Sequence, residues 1–410
     1  MKNDKLGIPQ YKAVVFYNQT VATSKAIDSL VVFALKGLKV VFVGAPPNQS
    51  YPLDASSQTS FQSSMKRLLA GPNVYFTNST DTLPALLQEN DIRPQVSLDR
   101  TQGSVYTVYR STPDVDYLYI YNEQSKTPEC GLTVDAAGVV PYIYDAWTGS
   151  QVPLLQYASA GSQISINPTL KANETLILAL HRNASQPACT LTQWSPYVRS
   201  ITASGDHLQA VVTHSPSVLT TSTGKTTHFN AKLPPPTNLS TWQLTVEDWH
   251  STSDRFAVQN EITNHTFNNV SLVPWHQISA SLQPVSGIGR YTANFGLPSD
   301  ADSSPMVGYL HLPPIQHTAR IYLDDKWLGP IDPVNPVMEL RGLEKGKVYE
   351  LRVDVSTTLF NRVKAEADLV WMIGKVASKV APKYGAMPYE KYGLVGSVFI
   401  EWGYVVDVDC

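Results

Sequence analysis

Apolar and polar positions change rhythm along the chain. Over the first hundred residues, Tyr11 to Tyr17 and Leu38 to Val43 are apolar runs of strand length. Between them Ile27, Leu30, Val31 and Ala34 recur at helical spacing, which predicts a helix over Val21 to Lys36 that Gly37 breaks. A helix over Thr59 to Ala70, a strand over Val74 to Thr77 and a helix over Thr82 to Glu89, with Ser79 or Asp81 as cap, continue the alternation. Alternating types of this kind predict a small α/β unit with a parallel sheet.

After Val96 the period shortens to two. Val105 to Arg110, Tyr117 to Tyr121, Val139 to Tyr144 and Thr175 to Leu180 are strand-like, as are Ser200 to Thr202, Leu208 to Thr213 and Thr226 to Ala231. Pro234-Pro-Pro236 cannot donate successive ladder hydrogen bonds and predicts a boundary. Beyond it, strands are expected at Trp242 onward, Gly289 to Phe295, Met306 to His311, Arg320 to Leu323, Val348 to Val355 and Val398 to Trp402, with a hairpin turn at Asp324-Asp-Lys326. The expected architecture is therefore multidomain, α/β and all-β, in three parts: an α/β domain over 1–97, a β-sandwich over 98–236 and a last β-sandwich over 237–410.

Length and composition fit that division. At 410 residues with 43% apolar content the chain can core two or three domains of roughly 150 residues each. A formal net charge of −3 and no Lys/Arg stripe argue against nucleic acid as a partner. The longest apolar runs, such as Leu30-Val-Val-Phe-Ala-Leu35, fall short of the roughly 20 residues of a membrane span, so no membrane partner is expected.

Eight Asn-x-Ser/Thr sequons, at Asn18, Asn48, Asn78, Asn173, Asn183, Asn238, Asn264 and Asn269, exceed the about three that composition gives by chance. The excess predicts a secreted, glycosylated protein. Met1-Lys-Asn-Asp-Lys-Leu-Gly-Ile-Pro-Gln10 has no apolar h-region, so a signal peptide is expected to have been lost upstream by truncation. Of three cysteines, Cys130 and Cys189 fall in one β-rich region and form the candidate disulfide, leaving Cys410 free or paired outside the chain.

Five blocks carry a resemblance: Leu272-Val-Pro-Trp-His-Gln-Ile278, Ser286-Gly-Ile-Gly-Arg-Tyr-Thr-Ala-Asn-Phe295, His317-Thr-Ala-Arg320, Asp332-Pro-Val-Asn-Pro-Val337 and Asn361-Arg362, with Tyr392-Gly-Leu-Val-Gly396 beyond them. In order and spacing they resemble the sugar-binding-type β-sandwich closing α-L-rhamnosidases of glycoside hydrolase family 106. Asp116-Tyr-Leu-Tyr-Ile-Tyr-Asn122 and Tyr144-Asp-Ala-Trp-Thr-Gly149 resemble that family's preceding sandwich, and the α/β unit looks like a degenerate amidotransferase module. The resemblance implies a galactose-binding-like jelly roll for the last domain and a catalytic barrel upstream. That barrel would be the chain's partner and would hold the acid and base carboxylates. At Asp324-Asp325 the chain departs from the Asn-Gly hairpin tip common in such sandwiches, which should alter the turn more than the fold.

Chemistry of the chain's own is not indicated. The α/β unit lacks a Gly-x-Gly-x-x-Gly loop and any cysteine nucleophile, and Gly-x-Ser-x-Gly and His-Glu-x-x-His are absent throughout. Glu247-Asp248 and Asp324-Asp325 are expected as solvated surface charge rather than a glycosidase pair. No catalytic residue and no cofactor is assigned; structural calcium would need non-local ligands that sequence does not place. Sugar binding is the remaining reading. Trp249 and Trp327 are candidate stacking faces, with Trp275 and Trp402 as further tryptophans, and Arg290, His317, Asp332 and Asn361 are candidate partners for sugar hydroxyls. Each also has a packing reading, since tryptophan in a sandwich is more often core.

Overall fold

The structure, a computed structural model, describes residues 11–98, 105–123, 131–254, 257–298, 305–366 and 386–410. They belong to two compact units, Met1–Gln95 and Val96–Cys410.

In the first unit, strands Ala13–Tyr17, Lys39–Val43 and Val74–Thr77 form a parallel sheet with Lys39–Val43 in the centre. Helix Ser24–Leu35 starts where Thr23 accepts the Ala26 amide, and helix Ala55–Leu69 where Asp54 accepts that of Ser57. Ile27, Leu30, Ala34, Phe61, Met65 and Leu68 close over Val40 and Phe42 as the core. Asn18 and Asn78 directly follow the outer strands, and Asn48 follows the central one, so three sequons lie at the carboxyl edge of the sheet.

The second unit is all-β apart from short helical turns. A five-stranded sheet, in the order 151–153, 140–144, 175–181, 115–122, 105–111, faces a four-stranded one, 158–160, 163–166, 132–135, 96–98. Leu118, Ile120, Leu132, Val134, Leu178 and Leu180 fill the space between them. Because Val96–Leu98 pairs with Leu132–Asp135, the α/β unit ends before 96, and the boundary expected at 97 would cut a strand.

The boundary expected at 236 is corrected more substantially. Strand Phe399–Asp409 lies in the middle of a six-stranded sheet, with Met306–His311 on one side and His207–Val212, from the supposed middle domain, on the other. Residues 198–212 therefore share a sheet with the end of the chain. The three prolines do interrupt pairing, but Thr237–Asn238 resumes it immediately against Ile400 and Phe399. The reason is in the closing strand itself: it is 11 residues long, so His207–Val212 and Thr237–Asn238 lie end to end along one edge while Met306–His311 takes the other.

The last sheet has the order 260–270, 242–251, 287–296, 348–356, 318–323, 326–327. On its inward face Trp242, Leu244, Val246, Tyr291, Leu351 and Val353 meet Leu310, Ile400 and Trp402 of the closing sheet, a two-period burial pattern. Asp324 and Asp325 both take positive φ, 48° and 61°, as a tight type I′-like hairpin needs, so the departure at that tip changes residue type and not the turn. Asp324 also accepts the Glu350 amide.

Cys189 bonds Cys410 and not Cys130, which lies outside the described residues. The sequence pairing failed because Cys189 belongs with the end of the closing strand: it packs with Leu191, Leu208 and Val408. On the same strand Glu401 accepts two bonds from Arg199 at 3.0 Å and one from His311 at 3.2 Å, joining it to strands 198–204 and 306–311. Burial works to raise the Glu401 carboxyl, but the bonds from His311 and Arg199, with the Arg199 charge, prevail and hold it at about 2.

Two outcomes follow for the closing strand. Cys189→Ser should lower the free energy of unfolding by roughly 2–4 kcal/mol in chemical denaturation, because the bridge closes a loop between residues 221 apart. Glu401 has a folded value below its unfolded 4.5, so its contribution is complete above that value and is lost as pH falls towards 2. The stability gap between the native chain and Glu401→Gln, on the order of 3 kcal/mol at neutral pH, should shrink over that window.

Candidate carbohydrate-binding site

Three of the sequence blocks that carry the resemblance, at 272–278, 286–295 and 392–396, meet at one buried side chain, Trp275. Its indole N–H donates to the Tyr291 hydroxyl at 2.8 Å, and its backbone N–H to the Tyr392 carbonyl at 2.9 Å. The Tyr291 hydroxyl also accepts the Leu394 amide at 3.1 Å, and burial pushes its pKa up to about 12. A Cβ at Gly289 would stand 2.6 Å from Trp275, and one at Gly393, where φ is +120°, 2.8 Å from it. The glycines are there because the indole leaves no room.

Tyr392 extends the cluster. Its hydroxyl meets Thr358 at 2.7 Å, and His317 packs edge-on against its ring with centroids 5.3 Å apart. Asn361, 2% exposed, donates to the Glu390 carbonyl and accepts the Glu390 amide, both at 2.9 Å. Both ends of its side chain are thus committed to the backbone. Asn361 thus supports this cluster, and His317 packs against it.

Trp249, Arg290 and Trp327 share the outward face of the last sheet. Trp249 is half-buried and donates to Glu247 at 3.1 Å; Arg290 pairs with Glu247 at 2.6 Å and lies 3.9 Å from Asp354. Arg352 continues the row, 3.4 Å from Asp354 and 4.0 Å above the Tyr322 ring. Burial raises the Asp354 carboxyl against the pull of Arg352 and Arg290. Trp249 and Arg290 are occupied by this network, whereas Trp327 is exposed at the hairpin edge. Glu247-Asp248 is corrected: the two side chains do point to opposite faces, but both are buried in pairs, Glu247 with Arg290 and Asp248 with Arg362 and His265.

Asp332 lines a groove. This groove, about 640 Å³, runs between the hairpin at 143–150, with strand residues Glu174–Ile177, and the segment from Leu328 to Glu339. Trp147, missed as a site residue although its block was noticed, stands half-exposed on that hairpin. The Asp145 carboxylate accepts the amides of Trp147 at 2.8 Å and Thr148 at 3.2 Å, and Thr148 meets Ser150 at 2.8 Å, so the turn carrying the indole is rigidly bonded. Asn335 donates to Glu174 at 2.9 Å across the groove, while its own carbonyl oxygen is buried without a partner among the described residues.

A second cleft of about 640 Å³ lies beside Pro234-Pro-Pro236, lined by Tyr197, His214 and Glu401. Its carboxylate is the one locked by Arg199 and His311. In the groove, Glu339 pairs with Arg341 and Asp332 accepts the Val334 amide at 2.9 Å. These carboxylates hold their own loops in place. Among the described residues no three His, Cys, Asp or Glu side chains gather as a metal site, and no helix is long and apolar enough to cross a membrane.

Neither a family model nor a curated protein matches the sequence. Among solved structures, the rhamnosidase from Novosphingobium sp. PP1Y superposes over 95% of this chain with a TM-score of 0.64 at 17% identity. The fold is rhamnosidase-like. The chain spans 33% of that enzyme's length. A GH42 beta-galactosidase from G. stearothermophilus and a Faecalibacterium prausnitzii beta-glucuronidase overlap at TM-scores of 0.27 and 0.26, with 13% identity each and 42% and 43% of this chain covered, against 32% and 33% of theirs.

Gly289→Ala tests the packing role of the motif. The added methyl collides with Trp275 and should cost about 1–3 kcal/mol, read as a lower denaturant midpoint with an unchanged slope.

Proposed function

We propose that the chain is the non-catalytic C-terminal part of a secreted, family 106-like α-L-rhamnosidase, bracing the catalytic barrel and holding carbohydrate near it. The observation that carries this is the rhamnosidase-like fold over 95% of the chain at a third of the enzyme's length. The five ordered blocks support the family, and the meeting of the blocks at 272–278, 286–295 and 392–396 around Trp275 supports a galactose-binding-like last sandwich.

Secretion and glycosylation are supported independently. All eight sequon asparagines are solvent-exposed, and the Cys189–Cys410 bridge suits an oxidising compartment. The presence of Trp147 and Trp327 as exposed aromatics favours carbohydrate contact over scaffolding alone and keeps a stand-alone binding protein as the second reading.

Purified chain incubated with aryl α-L-rhamnoside should release no detectable rhamnose, and calorimetry on the same sample with rhamnose-bearing polysaccharide should register binding. Turnover would overturn the non-catalytic assignment. Absence of both heat and turnover would remove the carbohydrate role.

A further inference from the structure

The groove beside Trp147 has a charge character that selects its ligand. Its lining includes Asp145, Glu174, Asp332 and Glu339, and no Lys, Arg or His. Glu339 is paired with Arg341 and also accepts from the Tyr309 hydroxyl, whereas Asp145, Glu174 and Asp332 face no cation in the groove's lining, and their charge disfavours an anionic ligand through Coulomb repulsion. These three are suited to hydroxyl groups: an ionised carboxylate offers about four acceptor positions, and the amides of Trp147 and Thr148 fill two at Asp145, the Lys171 amide and the Asn335 side chain two at Glu174, and the Val334 amide one at Asp332. Asn335 adds a buried carbonyl oxygen with no partner among the described residues. Trp147, on the same hairpin as Asp145, presents a flat apolar face, held by the bonded turn and so losing little entropy on stacking. Leu328, Ile331 and Met338 supply further apolar surface.

Resting on the reading that the chain handles carbohydrate, we infer that this groove binds a neutral glycan, one pyranose stacked on Trp147 and its hydroxyls donating to the acidic wall, and that it rejects uronate-bearing chains. The groove's volume lies within the roughly 300–1,000 Å³ usual for small-molecule sites. The ligand class differs from what an acidic polysaccharide requires, which is a wall carrying arginine or lysine.

The test uses full-length chain in native gels containing neutral arabinogalactan or, in parallel, polygalacturonate, with Trp147→Ala and Trp147→Tyr alongside. Thermal midpoints of both variants should match the native chain, because the side chain is exposed at a turn. The expected result is retardation by the neutral polymer, weakened at least about tenfold by Trp147→Ala and largely kept by Trp147→Tyr, with no retardation by polygalacturonate. Retardation that Trp147→Ala leaves intact would overturn the groove while leaving the carbohydrate role standing. Preferential retardation by polygalacturonate would overturn the ligand class. No retardation in either polymer would overturn the groove and the carbohydrate role together. Should Trp147→Ala alone lower the thermal midpoint, Asp332→Asn decides: it keeps the size of the side chain, removes one wall charge, and should admit polygalacturonate more readily.

Discussion

One indole sets the terms for the last sandwich. Trp275 sits where strand Gly287–Gly296 and the segment 392–394 approach within van der Waals distance, and it fixes glycine at 289 and 393 by leaving no space for a methyl group. Through Tyr291 and Tyr392 it also fixes where Leu394, Thr358 and Asn361 can be, since those groups complete hydrogen bonds that would otherwise be buried and unmade. Residues that look like ligand contacts in sequence, a histidine and an asparagine among them, are explained by this one requirement. A resemblance built on such residues reports shared packing, and packing is what a fold likeness at 17% identity can preserve.

Charged groups divide along the same line. Glu247, Arg290, Asp354 and Arg352 neutralise one another across the outward face of the last sheet, and Glu401 is bound by Arg199 and His311. In the groove beside Trp147 the lining carries Asp145, Glu174, Asp332 and Glu339 and no lysine, arginine or histidine, with Arg341 reaching Glu339 from outside it.

Much of the fold was legible in sequence. Val74–Thr77 and Met306–His311 match their expected bounds, because alternating β-branched and aromatic residues between clear breakers leave no other period. Asn260–Val270 was missed because it is an edge strand whose residues are mostly exposed, so it lacks the apolar alternation that burial imposes. The Cys189–Cys410 pairing and the sheet crossing residue 236 depend on a strand arriving from far along the chain, which no local pattern encodes. The groove was illegible for the same reason: Glu174 and Asn335, bonded across it, are 161 residues apart. Trp147 lay in a block already noticed, and the turn signal Asp145-Ala-Trp-Thr-Gly149 was the cue that its indole is displayed and not packed.

The central position of Phe399–Asp409 has a consequence for how the protein is made. Synthesis completes His207–Val212 long before the partner it needs, since Gln209 and Asp407, hydrogen-bonded in the finished sheet, are 198 residues apart. During that interval the sheet has a slot one strand wide, bordered by two edges with free amides and carbonyls, which any extended segment of suitable alternation can enter. In the finished sheet Cys410 lies at the end of the strand that fills the slot, so the Cys189–Cys410 bond tethers that strand in its register.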